Sequence, residues 1–214
     1  MTAIHRPSNV HLVNCGAIAG FVFLGGSFAQ AFTRPGFDLR RHALSALTLG
    51  DLGWLQVTTF VLTGLLALAF AVGLRRALRP GWAGPALIGT YGIGMIGGGI
   101  FTPDPAFGWP SGAPAGLPEH LSTSNTLHTV FGAMAFMSLI VAGLVFARRY
   151  ARQGRRAWMV HSYASSAAAF ILTALPWSEE SASLRFAFGA IVISSWLAAV
   201  SWRTRNDCLR SGGQ

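Results

Sequence analysis

Four polar side chains in three separate stretches carry the chemistry that a metal-dependent hydrolase needs. His42 and Ser45 are three positions apart, so on a helix they share one face, and Asp104 and His128 follow later in the chain. Two imidazoles and a carboxylate suit zinc, whose fourth position would hold a water with its pKa lowered toward about 7. We therefore predict His42, Asp104 and His128 as metal ligands and Ser45 as a catalytic residue.

Each of these residues also has a plainer interpretation. His42, beside Arg40 and Arg41, would equally suit a histidine that faces lipid headgroups. Asp104 lies between two prolines and would cap a helix or a turn, and His128 would make a buried hydrogen bond near the end of a helix. The spacing lacks the compactness of a motif such as His-Glu-x-x-His. The sequence leaves both interpretations open.

Haem is the second cofactor that histidines in a membrane protein suggest. A transmembrane haem needs two histidines that face each other across helices at one depth. His11 with His161 and His42 with His128 satisfy the number, but His42 falls in a predicted loop and His11 at a helix end. We therefore expect no haem, and we expect Glu119 and His120 to be solvated loop residues.

The composition indicates a membrane protein. Of the 214 residues, 52% are hydrophobic and only 11% are charged, whereas a soluble domain has about 25% charged residues. The net charge of +9 comes from arginines that are clustered between apolar runs, which indicates membrane topology and not nucleic-acid binding. The chain has no lysine, which excludes cofactors attached through a lysine Schiff base. Cys15 and Cys208 cannot form a thiolate metal site on their own.

Six apolar stretches are long enough to cross a bilayer as helices, which takes about 20 residues each. The sequence thus predicts one all-α polytopic domain over residues 1–214, a bundle of six transmembrane helices. The predicted spans are 12–32, 53–74, 84–102, 126–147, 158–177 and 184–202. Between the first two, Asp38 opens a stretch to Leu47 that predicts an N-capped short helix lying at the outer interface. Residues 103–125, rich in proline, predict a rigid outer loop or lid.

Arginine placement predicts the orientation. Twelve of the sixteen arginines fall in the two termini and in the segments after the second and fourth spans. By the positive-inside rule this places both termini in the cytoplasm and the candidate site residues outside, in a multi-pass protein of the cell membrane.

Small and polar residues within the spans predict contacts between helices. Gly94 and Gly98 have the small-xxx-small spacing that lets helix backbones touch. The alternative for these glycines is a flexible gate or a surface that a ligand approaches. Gln56, Thr59 and Thr63 form a polar stripe on the second span, which would make interhelical hydrogen bonds or one wall of a polar cavity.

Several short motifs carry a resemblance to a known family. They are His42-Ala43-Leu44-Ser45, Gly53-Trp54-Leu55-Gln56, Gly64-Leu65-Leu66, Asp104-Pro105 and His128. Over residues 12–202 the chain resembles the bacterial and archaeal membrane proteins grouped as domain of unknown function 998. The resemblance implies a prokaryotic six-helix membrane protein without an established activity, and it supports His42, Ser45, Asp104 and His128 as the positions to test. A more distant likeness is to seven-helix hydrolases such as alkaline ceramidases, but this chain lacks the paired histidines on a seventh span.

Three functions follow as expectations, all of them for a protein embedded in the lipid bilayer. The first is an uncharacterised membrane protein whose outward-facing polar mouth binds a small molecule, a lipid or a partner. The alternative is a zinc-dependent hydrolase that acts on a lipid or an amide. The third is a small transporter, for which the spans supply no clear ionisable group at mid-depth.

Overall fold

The computed structural model describes residues 8–78, 81–175 and 179–211, and these residues form six long helices and one short 3-10 helix. The long helices are α1 (Ser8–Thr33), α2 (Gly53–Ala77), α3 (Ala83–Ile100), α4 (Thr123–Arg152), α5 (Arg156–Ala174) and α6 (Glu179–Ser211). The short helix, η1, covers Leu44–Thr48 and precedes α2. All six long helices lie where the apolar stretches predict spans.

The six helices form a closed ring. Each long helix packs against the next one in the chain, and α6 returns to pack against α1. Short connections follow α2, α4 and α5, whereas long ones follow α1 and α3. We call the end of the ring with the two long connections the loop end. The opposite end, where α2, α4 and α6 finish, is the arginine end.

Four of the helices within the described residues, α1, α2, α4 and α6, are long and apolar enough to cross a membrane. These four show the character of a membrane protein. The other two are α3, which contains seven glycines in 18 residues, and α5, which contains three serines, a histidine and an arginine in 19 residues. The prediction of six spans therefore stays a prediction.

Glycines on α3 let it approach α2 and α4 closely. A Cβ atom on Gly92 would lie 2.7 Å from the carbonyl oxygen of Gly64 on α2. One on Gly94 would lie 2.7 Å from the carbonyl oxygen of Phe131 on α4. The predicted close packing is therefore confirmed at Gly94. It is wrong for Gly98, where an added Cβ would meet no heavy atom within 4 Å.

Serines and a tryptophan join α5 to its neighbours. Ser166 donates its hydroxyl to the carbonyl oxygen of Ile140 on α4 at 3.0 Å. Trp196 on α6 donates its Nε1–H to the hydroxyl oxygen of Ser162 at 3.0 Å. Such interhelical hydrogen bonds stabilise packing where apolar burial provides little drive.

The polar stripe on α2 faces α1. Gln56 is fully buried, accepts from Gln30 and donates to the hydroxyl oxygen of Ser27, both at 2.8 Å. Thr59 donates within its own helix, and the hydroxyl of Thr63 has no partner among the described residues. The predicted interhelical bonding is thus confirmed for Gln56 alone.

The outer helix predicted from Asp38 takes a different form. The Asp38 carboxylate accepts from the backbone N–H of Arg40 at 2.9 Å, which stabilises a single turn. The 3-10 helix η1 then starts at Leu44, and both Leu44 and Leu47 are buried against α1 and α2. The predicted single helix is therefore a turn followed by a 3-10 helix, with Leu44 and Leu47 packed inward and Asp38, Arg40 and Arg41 exposed. Its position at the outer interface stays a prediction.

Candidate functional site

A cavity of about 70 Å³ lies inside the ring near the loop end. Ser45 from η1 and His128 from the first turns of α4 line it together. The rest of its wall is apolar or glycine: Phe23, Leu44, Phe60, Gly94, Met95, Gly98, Gly132, Phe136 and Phe186. Two of the four predicted site residues thus meet in one cavity, which we call the loop-end cavity.

The hydrogen bonds of His128 determine which ring nitrogen carries its proton. Nδ1 lies 3.0 Å from the carbonyl oxygen of Gly98 and 2.8 Å from that of Phe101. Because carbonyl oxygens only accept, Nδ1 of a neutral ring must hold the hydrogen and donate it. Nε2 is then an acceptor, and no described residue donates to it. His128 therefore anchors the start of α4 and retains one free lone pair.

The hydroxyl of Ser45 is not needed for a hydrogen bond that stabilises the fold. Its backbone carbonyl accepts from the hydroxyl of Thr48 at 2.7 Å, which stabilises the 3-10 turn. No hydrogen bond to the Ser45 hydroxyl itself occurs among the described residues. This side chain is half-buried at the wall of the loop-end cavity, so it is available to a ligand.

His42 lies outside the loop-end cavity, and both of its ring nitrogens are engaged. Nδ1 accepts from the backbone N–H of Asp38 at 2.9 Å, and Nε2 donates to the carbonyl oxygen of Phe107 at 3.1 Å. The ring is 5% exposed and packs against Phe37 and Trp109. In this arrangement His42 joins the loop after α1 to the loop after α3, with no lone pair left for a metal.

Asp104 holds the start of α4. Its carboxylate accepts from the backbone N–H of Ser122 at 2.8 Å and from the Ser122 hydroxyl at 2.5 Å. Ser122 is the N-cap of α4 and accepts from the backbone N–H of Asn125 at 3.0 Å. Asp104 therefore orients the capping serine, which is the plainer of its two interpretations.

The zinc hypothesis needs these three residues to converge. In the part of the chain that the structure describes, no three side chains of histidine, cysteine, aspartate or glutamate gather where they could hold a metal ion. Zinc coordination by all three residues would require His42 to give up one of the two partners of its ring nitrogens. The structure thus brings His128 together with Ser45 and leaves His42 and Asp104 in separate networks.

Arg34 is a residue whose role the sequence did not reveal. It is 8% exposed, and its Nη1 donates to the carbonyl oxygens of Leu47 at 2.6 Å and Leu49 at 3.2 Å. Its guanidinium lies 6.0 Å from the ring centroid of Trp109, and burial lowers its pKa. Arg34 therefore holds the C-terminal end of η1 in place through these two hydrogen bonds. The one signal in the sequence is an arginine immediately after an apolar run, a position that by itself indicates membrane topology.

The other histidines that the structure describes do not form a site with these residues. His11, His120 and His161 are exposed, as is Glu119. His161 packs edge-on against Trp158 near the arginine end, far along the chain from the loop-end cavity. The expectation that Glu119 and His120 are loop residues in contact with solvent agrees with their exposure.

Comparison with known proteins places the chain in a family. No curated protein and no solved structure shows significant similarity to it. The model of a family described as protein of unknown function (DUF998) matches residues 17–203, which include all four predicted site residues. The match agrees with the resemblance found in the sequence, and it covers most of the helical ring. The chain therefore belongs to the DUF998 family.

Proposed function

We propose that this DUF998 protein crosses the membrane six times and binds a small, largely apolar molecule in its loop-end cavity. The observation that carries the proposal is that Ser45 and His128 line the same, otherwise apolar, cavity. Ligand sites in proteins typically combine apolar walls with a few polar groups that orient the ligand.

The properties of the cavity define the ligand. A volume of about 70 Å³ is small against the roughly 300–1,000 Å³ of sites for drug-sized molecules, so it suits a narrow chain end. Nε2 of His128 accepts a hydrogen bond, and the Ser45 hydroxyl both donates and accepts. The best match is a molecule with an apolar chain and a terminal hydroxyl or amide.

Two features of α3 and α5 support six spans. With 18 residues, α3 extends about 27 Å, close to the ~30 Å of a hydrocarbon core. On α5 the buried face carries serines, whereas Val160 and Phe170 on the outer face are exposed. An apolar outer face is what lipid contact requires. We propose, with the positive-inside rule, that the arginine end is cytoplasmic in the cell membrane.

Two ligands that differ only in whether they can donate a hydrogen bond test the binding proposal. Purified protein in mild detergent is titrated with 1-octanol and with its methyl ether, and binding is followed by ligand-observed NMR. We expect the alcohol to bind more tightly, because only its hydroxyl donates to Nε2 of His128. The variant His128→Ala should remove that preference. The variant Gly98→Val should weaken the binding of both ligands, because the valine side chain enters the cavity.

Gly116→Val serves as the matched control, since Gly116 lies in the exposed loop with nothing within 4 Å of an added Cβ. Equal binding of the two ligands to the unmodified protein, or no effect of Gly98→Val, would contradict the proposal.

A second candidate function is hydrolysis of an ester or amide without metal. It is favoured by the tautomer of His128, whose Nε2 is the free acceptor that a general base needs. In this scheme Nε2 takes the Ser45 proton while the hydroxyl oxygen attacks the carbonyl carbon. The leaving alcohol or amine then takes that proton, and water releases the acyl group from Ser45.

A fluorophosphonate probe distinguishes hydrolysis from binding. We expect labelling of Ser45 that is absent in Ser45→Ala, reduced in His128→Ala and unchanged in Ser111→Ala, where the serine lies in the exposed loop. If Ser45 is not labelled while octanol still binds, the hydrolase candidate is excluded and the binding proposal stands.

A further inference from the structure

Two cavities adjoin each other at the arginine end, on the opposite end of the ring from the loop-end cavity. Both are bounded by Leu78, Phe146, Arg149 and Gln153. One is largely basic and the other largely apolar, so together they form an amphipathic recess beside the ends of α2 and α4.

The basic cavity has a volume of about 520 Å³ and lies between the ends of α2, α4 and α6. Its charged lining residues are Arg149, Arg155, Arg203, Arg210 and Asp207. Four guanidinium groups against one carboxylate leave an excess of positive charge. Asp207 is already shared, because Arg155 reaches it at 2.6 Å and Arg203 at 3.2 Å.

Arg203 also has a donor that the protein does not satisfy. Its Nε is buried and has no hydrogen-bond partner among the described residues. An unsatisfied guanidinium donor beside a positively charged cavity favours an anion, and phosphate oxygens match the geometry of arginine particularly well.

The apolar cavity, about 460 Å³, continues from the basic one along the outside of α3 and α4. Trp82, Pro85 and Val145 line it in addition to the shared Leu78 and Phe146, and its charged lining residues are Arg148, Arg149 and Arg152. Trp82 is 72% exposed. An exposed tryptophan at the end of a span is typical of the membrane interface. The wall of this cavity is mostly apolar, so the cavity suits an acyl chain.

We propose that the recess at the arginine end binds one anionic phospholipid, with the phosphate among Arg149, Arg203 and Arg210 and an acyl chain along Trp82 and Val145. The basic cavity alone would also accept free phosphate. The adjoining cavity favours the lipid, because an inorganic anion gains nothing from its apolar wall, which an acyl chain would cover.

Short-chain lipids test the proposal on the intact protein in nonionic detergent. Binding of dihexanoyl phosphatidylglycerol and dihexanoyl phosphatidylcholine is measured by native mass spectrometry. We expect the anionic lipid to bind more tightly. The double variant Arg203→Gln with Arg210→Gln should weaken its binding by about fivefold per arginine removed.

The matched control is Arg75→Gln with Arg76→Gln. These two arginines are exposed at the same end of the ring and line neither cavity. We expect the control to retain the affinity of the unmodified protein. An equal loss in both double variants would mean general attraction to charge and would overturn the proposal.

Two further measurements do not depend on the folding of the double variant. Arg210→Gln alone changes an exposed residue at the rim of the basic cavity, and it should still weaken the binding of the anionic lipid. In the unmodified protein, a phosphatidylglycerol with a photoreactive acyl chain should label residues 82–85 or 145. Displacement of the lipid by inorganic phosphate at equal concentration would identify a free-phosphate site and overturn the proposal, as would labelling confined to other segments.

Discussion

The indole Nε1–H of Trp109 donates to the carbonyl oxygen of Ala46 at 3.0 Å. This bond joins the loop after α3 to η1, the short helix that carries Ser45. Trp109 is buried and packs edge-on against Phe37 at 5.2 Å between ring centroids. The two long connections therefore form one cap, and Ser45 is held at the cavity wall by contacts from a segment distant in sequence.

His42 is predicted to stabilise this cap. The variant His42→Ala removes two hydrogen bonds and leaves the backbone N–H of Asp38 and the carbonyl of Phe107 without that partner. We expect the free energy of unfolding to fall by about 2 kcal/mol, measured by thermal unfolding in mild detergent. His120→Ala, at an exposed position, is the control. A His42→Ala protein as stable as this control would contradict the assigned role.

Gly94 and Gly98 are predicted to respond in opposite ways to the same substitution. A methyl group at Gly94 would collide with the backbone of α4, so Gly94→Ala should destabilise the protein by about 1–3 kcal/mol. Gly98→Ala adds its methyl group in open space and should leave stability unchanged or slightly raised. The two melting temperatures, measured side by side, provide the check. Equal effects would refute the packing assigned to α3.

Asp104 is predicted to act through the N-cap of α4. Asp104→Ala removes the acceptor for the Ser122 hydroxyl and backbone, and we expect a loss of about 1 kcal/mol in stability. Bound zinc, measured by metal analysis, should not differ between Asp104→Ala and the unmodified protein. Glu119→Gln, an exposed carboxylate in the same loop, is the control. Stoichiometric zinc that disappears in Asp104→Ala would instead support the metal hypothesis.

The proposed sidedness is testable with single cysteines. In a protein with Cys15 and Cys208 replaced by serine, Glu119→Cys should react with an impermeant maleimide on intact cells. Gln153→Cys and Trp82→Cys should react only after permeabilisation, because six spans place both positions on the other side of the membrane from position 119. Reaction of Trp82→Cys together with Glu119→Cys would show that α3 does not cross the membrane.

The sequence by itself determined that this is an all-helical membrane protein and where its helices lie. Apolar stretches of about 20 residues and clustered arginines are local features of the sequence. They therefore predict the spans without any knowledge of tertiary contacts. The same holds for Asp104 between its prolines, where capping was one of the two predicted roles.

Only the tertiary structure decided which polar residues meet. His42 and Ser45 are close in sequence, yet the chain forms a turn and a 3-10 helix there instead of one α-helix, so only Ser45 reaches the cavity. Gly94 and Gly98 are four residues apart on α3, yet Gly94 lies against the backbone of α4, whereas an added Cβ on Gly98 would meet no atom within 4 Å. The physical reason is that hydrogen-bond partners such as Phe107 for His42, and Gly98 and Phe101 for His128, come from distant segments, and packing of the whole ring sets their positions.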